Sequence, residues 1–428
     1  MLARVFSSNH QLRALSDVGP IMLTDYYHKD YFSIVEAVES TDINSVVRLS
    51  CLEHTFFPPL TSIKIQFSDN NLIQGRNNFN CSIAAAAGDT TPCVSDAGIA
   101  SFNFTAGKTH RLRLINAGAE GIQKFSIDGH NMTVIANDFV PIQPYDTQVV
   151  TLAVGQRTDV IIQAPSRPLP AYTMRSSLSC SLSTQGDATA IVNYGTFDES
   201  KGAPNTTAWP SFLDSVANIC VSDDLSLTVP YYPITPDPNP PTTDTIEIGF
   251  GQNSTGYWVW TMNNSSFRAN YNHPILLLSN VGNNSYPSDP QWNIHNYGSN
   301  SSVRIILNNP VAASHPIHLH GHNMFVLASG PGSWDGTTIV NPANPQRRDV
   351  QLLPANRYMV IQFTADNPGA WPLHCHIAWL VSAGLYVTVL ERPADIEGLR
   401  IPSIMAQTCR DWSAWTNGTV VDQIDSGL

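Results

Sequence analysis

The sequence repeats itself at a spacing of roughly 200 residues, far longer than the unit of a solenoid. FSIDGHNMTVIA (125–136) aligns with IHLHGHNMFVLA (317–328), and Gly-His-Asn-Met recurs at 129 and 321. Downstream, VGQRTDVIIQA (154–164) aligns with PANRYMVIQFTA (354–365), and PAYTMR (170–175) with GAWPLH (369–374). A repeat this long is a whole folding unit copied in tandem. The residues around it favour strands. RLRLI (111–115), TVIAN (133–137), VVTLAV (149–154) and DVIIQA (159–164) alternate or are β-branched, and long helix-period stretches are missing. With 30 Pro and 26 Gly, the chain has the turn formers that short strands need. The expected architecture is all-β, with one domain over 17–228 and a second over 245–428. An atypical segment, 1–16, precedes them. The stretch VPYYPITPDPNPPTTD (229–244) joins them as a semi-rigid linker, because proline cannot donate to a sheet ladder and favours extended backbone.

Composition narrows the function. Charged residues make up 13% and apolar residues 42%, the balance of a folding chain rather than a disordered one. A net charge of −12 argues against nucleic acid as a partner, since phosphates need a basic surface. No apolar run is long enough to span a membrane as a helix. Sequons at Asn80, Asn103, Asn131, Asn205, Asn253, Asn263, Asn264, Asn283, Asn300 and Asn417, with seven cysteines, favour a secreted, disulfide-bonded glycoprotein. Residues 1–16 carry no apolar core and do not form a signal peptide. Their basic, Ser-containing character faintly resembles a transit peptide, and a chain that starts too late is the preferred expectation.

Six of the 13 histidines fall in two short clusters, His315-Pro-Ile-His318-Leu-His320-Gly-His322 and His374-Cys375-His376. On an extended segment, residues i and i+2 share a face. His318 and His320 therefore point together, as do His374 and His376, while Cys375 points the other way. Two metal environments result across one strand: an all-imidazole pocket, and a thiolate site within reach of His315. Imidazole suits copper, zinc, iron and nickel, and a thiolate joined by imidazoles is the blue-copper donor set. The ordinary reading of a strand histidine is structural. Two His-x-His pairs, one enclosing a cysteine, are hard to produce by packing alone. The HLHGHN cluster also lacks the carboxylate that germin-like cupin and metallo-β-lactamase sites require. In the aligned first copy, Ser126, Asp128 and Arg175 stand where the second has His318, His320 and His374, so the chemistry belongs to the second copy.

HPIHLHGHNMFVL (315–327), DNPGAWPLHCHIAW (366–379) and the terminal Asp425-Ser-Gly-Leu428 resemble the multicopper oxidases, in particular their ascomycete laccase-like branch. The resemblance implies cupredoxin-like Greek-key β-barrel domains, two in this chain and three in a complete member. It also implies copper in type 1, type 2 and type 3 sites, with one-electron oxidation of a phenolic reductant coupled to reduction of dioxygen to water. Pigment or secondary-metabolite precursors and lignin-type phenols are both open as substrates. By the same resemblance His315 and Cys375 are type 1 ligands, His318 a type 2 ligand, and His320, His374 and His376 type 3 ligands. Cys375 and its two flanking histidines would carry the electrons. Leu385 falls at the axial position, and His322 matches a histidine that is not a ligand. The terminal DSGL is similar to the processed carboxy terminus of ascomycete laccases.

The pattern breaks in three places. A second type 1 histidine is expected five residues after the cysteine, where this chain has Leu380. No His-x-His occurs before 318, and the chain begins where the family's second domain would, near Gly19-Pro-Ile-Met-Leu-Thr-Asp. Residues 46–66 fit the family poorly. The alternative expectation is therefore a truncated or degenerate paralogue that binds copper without turnover. Cys81 with Cys93 and Cys180 with Cys220 are candidate disulfides among the connectivities open to the cysteines other than Cys375. Cys51 sits in the odd 46–66 stretch. Cys409 resembles the cysteine that ties the family's third domain to its first.

Overall fold

Alternating residues build the outer strands. In β4 (Thr109–Asn116) and β9 (Arg157–Gln163), every second side chain is buried, and Leu112, Leu114, Val160 and Ile162 face inward. A computed structural model of the chain describes residues 15–41 and 68–418, apart from 87, 182, 196, 287 and 288. Residues 1–14, the 46–66 stretch with Cys51, and the terminal DSGL lie outside the described residues.

The other strands of the first unit are β1 (Leu15–Tyr26), β2 (Asn70–Ile73), β3 (Ala100–Asn103), β5 (Ile122–Ile127), β6 (Met132–Asn137), β7 (Val140–Thr147), β8 (Val150–Leu152), β10 (Ala171–Ser179) and β11 (Asp187–Asn193). The second unit holds β12 (Thr242–Gln252), β13 (Trp258–Met262), β14 (Ile294–Asn296), β15 (Ser302–Asn309), β16 (His315–Leu319), β17 (Met324–Pro331), β18 (Gln346–Arg348), β19 (Val350–Leu353), β20 (Arg357–Thr364), β21 (Gly369–Cys375) and β22 (Tyr386–Glu391). The first unit pairs a six-stranded sheet, β2-β1-β4-β9-β6-β7, with a five-stranded one, β3-β11-β10-β5-β8. The second unit repeats both orders strand for strand, as β13-β12-β15-β20-β17-β18 and β14-β22-β21-β16-β19. Even the irregularities are copied. A register shift between Val134 and Ala136 in β6 recurs between Val326 and Ala328 in β17. The duplication read from sequence is thus a duplication of topology, and the chain is two tandem cupredoxin-like β-domains.

The Gly-His-Asn-Met turn shows why its residues recur. Gly129 and Gly321 have φ of +68° and +74°, and an aromatic ring, Tyr172 or Trp371, lies where a Cβ would sit. Only glycine meets both demands. His130 and His322 close the turn by donating from Nδ1 to the carbonyls of Asp128 and His320.

Each unit has its own core. The first is built on Leu112, Leu114, Phe125, Val134, Val160 and Met174, and the second on Ile305, Leu307, Ile317, Val326, Ile361 and Val387. The helix Tyr31–Val38 crosses between them. It follows β1, is capped by the Asp30 carboxylate, and buries Ile34 and Val38 in the core of the second unit. The Pro-rich stretch is pinned along both units: Tyr231 N–H donates to Pro141 O, and Asn344 Nδ2 to Pro230 O. Polar contacts fasten the units directly. Arg157 makes two 2.7 Å bonds to Asp349, and Arg348 reaches the buried Asp138 at 2.7 Å. Disulfides Cys81–Cys93 and Cys180–Cys220 both form, as the spacing suggested.

Candidate metal centre

Strands β16 and β21 lie side by side, with Ile317 opposite Cys375, His318 opposite His374 and Leu319 opposite Leu373. Alternation does the rest. His315, Ile317, Leu319, Leu373 and Cys375 face the core and are fully buried, while His318, His320, His374 and His376 are half-buried on the other side. The strand pair is a partition with sulfur on one side and imidazoles on the other.

On the imidazole side, His318, His320 and His374 each present a nitrogen, all within 4.8 Å of one another. His320 Nε2 and His374 Nε2 are 3.0 Å apart. Two nitrogens bound to one ion at ~2.0 Å stand about 3 Å apart, so this spacing fits a shared cation. The fourth ring, His376, joins the pocket from the side. Its centroid lies 5.7 Å from that of His318 and 5.9 Å from that of His374. Backbone carbonyls hold the rings in place. His318 Nδ1 donates to Asp349 O at 2.8 Å, and His374 Nδ1 to Cys375 O at 2.6 Å. Each bond leaves the Nε2 lone pair free to face the pocket. Burial, followed by repulsion among the neighbouring imidazoles, pulls His320 down to about 4. Burial pulls His374 to about 3 against its hydrogen bond to Cys375, and it also lowers His376. These rings are neutral at ordinary pH, the state in which imidazole binds a metal.

On the sulfur side, Cys375 Sγ and His315 Nδ1 are 3.7 Å apart. Bonds of ~2.3 Å to sulfur and ~2.0 Å to nitrogen at a tetrahedral angle would place them about 3.5 Å apart. Burial lowers His315 to about 3, and its Nε2 is buried without a hydrogen-bond partner among the described residues. Ile377 N–H donates to the sulfur at 3.4 Å. Leu380 and Leu385, 2% and 0% exposed, pack in the same core cluster and offer no lone pair. Among the described residues, this side therefore brings together one sulfur and one imidazole donor, where a blue-copper donor set uses three strong ligands.

The first unit shows the same scaffold with other residues. Ser126 sits opposite Arg175, as His318 sits opposite His374. Arg175 forms a two-point ion pair with Asp128 at 2.8 Å, and Thr206 Oγ1 donates to the same carboxylate. An ion pair fills the place where the second unit gathers imidazoles.

Several neighbours carried no signal in the sequence. Trp379 follows the His-Cys-His cluster and donates from Nε1 to Glu120 of the first unit at 3.0 Å. Glu120 is buried, and that burial pushes its carboxyl up to about 8. Tyr27 stands against both residues, with its ring edge-on to Trp379 at 5.0 Å. A cleft of about 1060 Å³ opens beside this loop, floored by Phe267, Ser382 and Ala383 and edged by Glu36 and Arg268. Its floor is tied to the sulfur site: Trp260 N–H donates to Ala383 O, and the Trp260 ring stands 4.8 Å from that of His315.

Residues 17–196 and 235–395 each match the multicopper oxidase family. Laccase-1 of Botryotinia fuckeliana is 36% identical over 76% of this chain, and Laccase-2 of the same organism is 30% identical over 96%. The chain spans 57% and 66% of those two relatives' own lengths. The crystal structure of the laccase from Botrytis aclada superposes with a TM-score of 0.79 at 30% identity, covering 96% of this chain and 71% of that one. The chain belongs to the multicopper oxidase family, with laccases among its relatives, and copper is that family's cofactor.

Proposed function

We propose that this protein serves a laccase-like oxidation, in which a phenolic or related reductant gives up single electrons and dioxygen accepts four of them with four protons to become two waters. The observation that carries the reading is the partition of donors across one strand pair. A cysteine sulfur and an imidazole lie on its buried side, and three imidazoles converge on the other with a fourth, His376, beside them. Bound copper supplies the one-electron chemistry and the affinity for dioxygen. His315 and Cys375 would hold the copper that receives electrons. His318, His320, His374 and His376 would hold copper on the oxygen side. Cys375, bonded through the backbone to His374 and His376, gives a short covalent path between the two. The reductant would enter the cleft floored by Ala383, which is linked through Trp260 to His315.

A second reading has its own support. Leu380, buried in the same core cluster as Cys375, stands at the sequence position where the family resemblance calls for a third strong ligand, which favours a chain that binds copper without turnover. Optical spectra and oxygen uptake of the copper-loaded chain separate the two. An intense visible thiolate-to-copper band with oxygen consumption in the presence of a methoxylated phenol supports the oxidase. Copper retained in stoichiometric amount with neither signal supports the second reading, and failure to retain copper defeats both.

We also read the protein as a secreted glycoprotein. Every sequon asparagine but Asn300 is exposed, and two disulfides form. Glycosidase treatment of the protein from a secretory host should lower its mass by several glycans.

A further inference from the structure

Gly155, in the turn before β9, and Arg157, the first residue of that strand, belong to the unit that carries none of the clustered histidines, yet they support the imidazole pocket at two points. A Cβ placed on Gly155 would fall 2.5 Å from His376 Cδ2 and 2.6 Å from His376 Nε2, so the imidazole rests directly on the glycine backbone. Gly155 has φ of +80°, a conformation its own hydrogen bond to Asn116 O helps to hold. Arg157 then acts in two directions. It donates to Gly155 O at 2.9 Å, and with both terminal nitrogens to Asp349 at 2.7 Å. Asp349 in turn accepts the Nδ1 proton of His318 on its backbone carbonyl. The Arg157 side chain is 18% exposed, and its guanidinium carbon lies 4.8 Å over the Phe139 ring. One side chain thereby holds the seat of His376 and the anchor of His318, on rings whose centroids are 5.7 Å apart.

From this we infer that Gly155 and Arg157 are positioning residues for copper on the oxygen side, and that the unit without clustered histidines acts as a template setting the ring orientation of His376 and the tautomer of His318. The inference rests on the oxidase reading for the identity of the metal, but its geometry stands without it. Planar two-point contact is what arginine provides and lysine does not. Loss of such supporting contacts typically weakens metal binding about 10- to 100-fold.

The test uses the full chain with four substitutions. Arg157→Gln removes both contacts, and Arg157→Lys keeps the charge without the fork. Gly155→Ala invades the His376 seat. Gly195→Ala is the control, because Gly195 has φ of +92° with nothing within 4 Å of its added Cβ. Among the described residues it therefore reports backbone strain alone. Two readouts apply: Cu(II) affinity by competitive titration, and the ¹⁵N spectrum of the imidazoles in the metal-free chain. Expected are about 10- to 100-fold weaker copper binding for G155A and R157Q, about three- to tenfold for R157K, and less than twofold for G195A. The His318 signal should shift from a single Nδ1-protonated tautomer to a mixture in R157Q. Copper affinity within twofold of the parent in G155A and R157Q, with an unchanged His318 tautomer, would overturn the inference. So would a G195A loss as large as that of G155A. Should R157Q not fold, R157K decides by the same criteria. A parent chain that binds no copper sinks the oxidase reading, while the imidazole spectra still judge the positioning role.

Discussion

At the scale of single residues, Leu380 and Glu120 have the sharpest consequences. Leu380 is buried in the core cluster that also holds Cys375. Leu380→His should destabilise the metal-free chain by about 2 kcal/mol, since a buried imidazole without a partner loses its hydration. On copper addition it should gain the visible thiolate-to-copper band, which absorption spectroscopy detects. A variant that binds copper without any band would mean that His315 and Cys375 do not share an ion. Glu120 gives a pH effect. Its carboxyl is at about 8 in the fold because burial, the largest cause, disfavours the charged form, and the nearby Asp25 adds to this. In the unfolded chain it lies in the ordinary carboxylate range. The unfolded state therefore releases this proton first as pH rises. The stabilising contribution is complete below the ordinary range and is lost as pH climbs toward 8, at no more than about 1.4 kcal/mol per pH unit. Denaturant midpoints at pH 5 and pH 7.5 should differ less in Glu120→Gln than in the parent. Equal differences in the two proteins would show that Glu120 is ionised in the fold.

At the scale of elements, β5–β10 and β16–β21 are one structure with two sets of side chains. Where β16 and β21 gather imidazoles, the Asp128–Arg175 ion pair bridges the equivalent positions in the first unit. Breaking a buried pair from one side leaves an uncompensated charge. Arg175→Ala should therefore cost about 3 kcal/mol in urea unfolding, while replacing both residues by leucine should cost distinctly less. The alternation that points His318 and His374 to one face and Cys375 to the other was legible in the sequence, because a strand has a period of two whatever it packs against. The seat of His376 on Gly155 was not legible, since nothing in VGQRTD distinguishes a glycine needed for its backbone angle from one needed to admit a ring.

For the whole molecule, two units of repeated strand order are held together by contacts that are not repeated. The helix Tyr31–Val38 lies in the first half of the chain yet buries Ile34 and Val38 in the core of the second unit. The two units should therefore unfold together, and a urea transition followed separately by near-ultraviolet circular dichroism and by tryptophan fluorescence should coincide. The disulfides act on the unfolded chain, and their loop lengths rank them. Cys81–Cys93 closes a separation of 12 residues and Cys180–Cys220 one of 40. Replacing each pair by serine should cost about 3 and about 4 kcal/mol respectively, because the longer loop confines the unfolded chain more. The reverse order in equilibrium denaturation would show that native packing, rather than loop closure, dominates.

The sequence by itself determined the duplicated β architecture, the two-faced histidine and cysteine pattern, and the substitution of those histidines in the first copy. These are short-range regularities that need only the geometry of an extended backbone. Only the tertiary structure decided that His318, His320 and His374 converge, that Arg157 and Gly155 seat the imidazole pocket, and that Glu120 meets Trp379 beneath the sulfur loop. Each of those contacts joins residues far apart in the chain through single side chains, and a contact made once leaves no period to read.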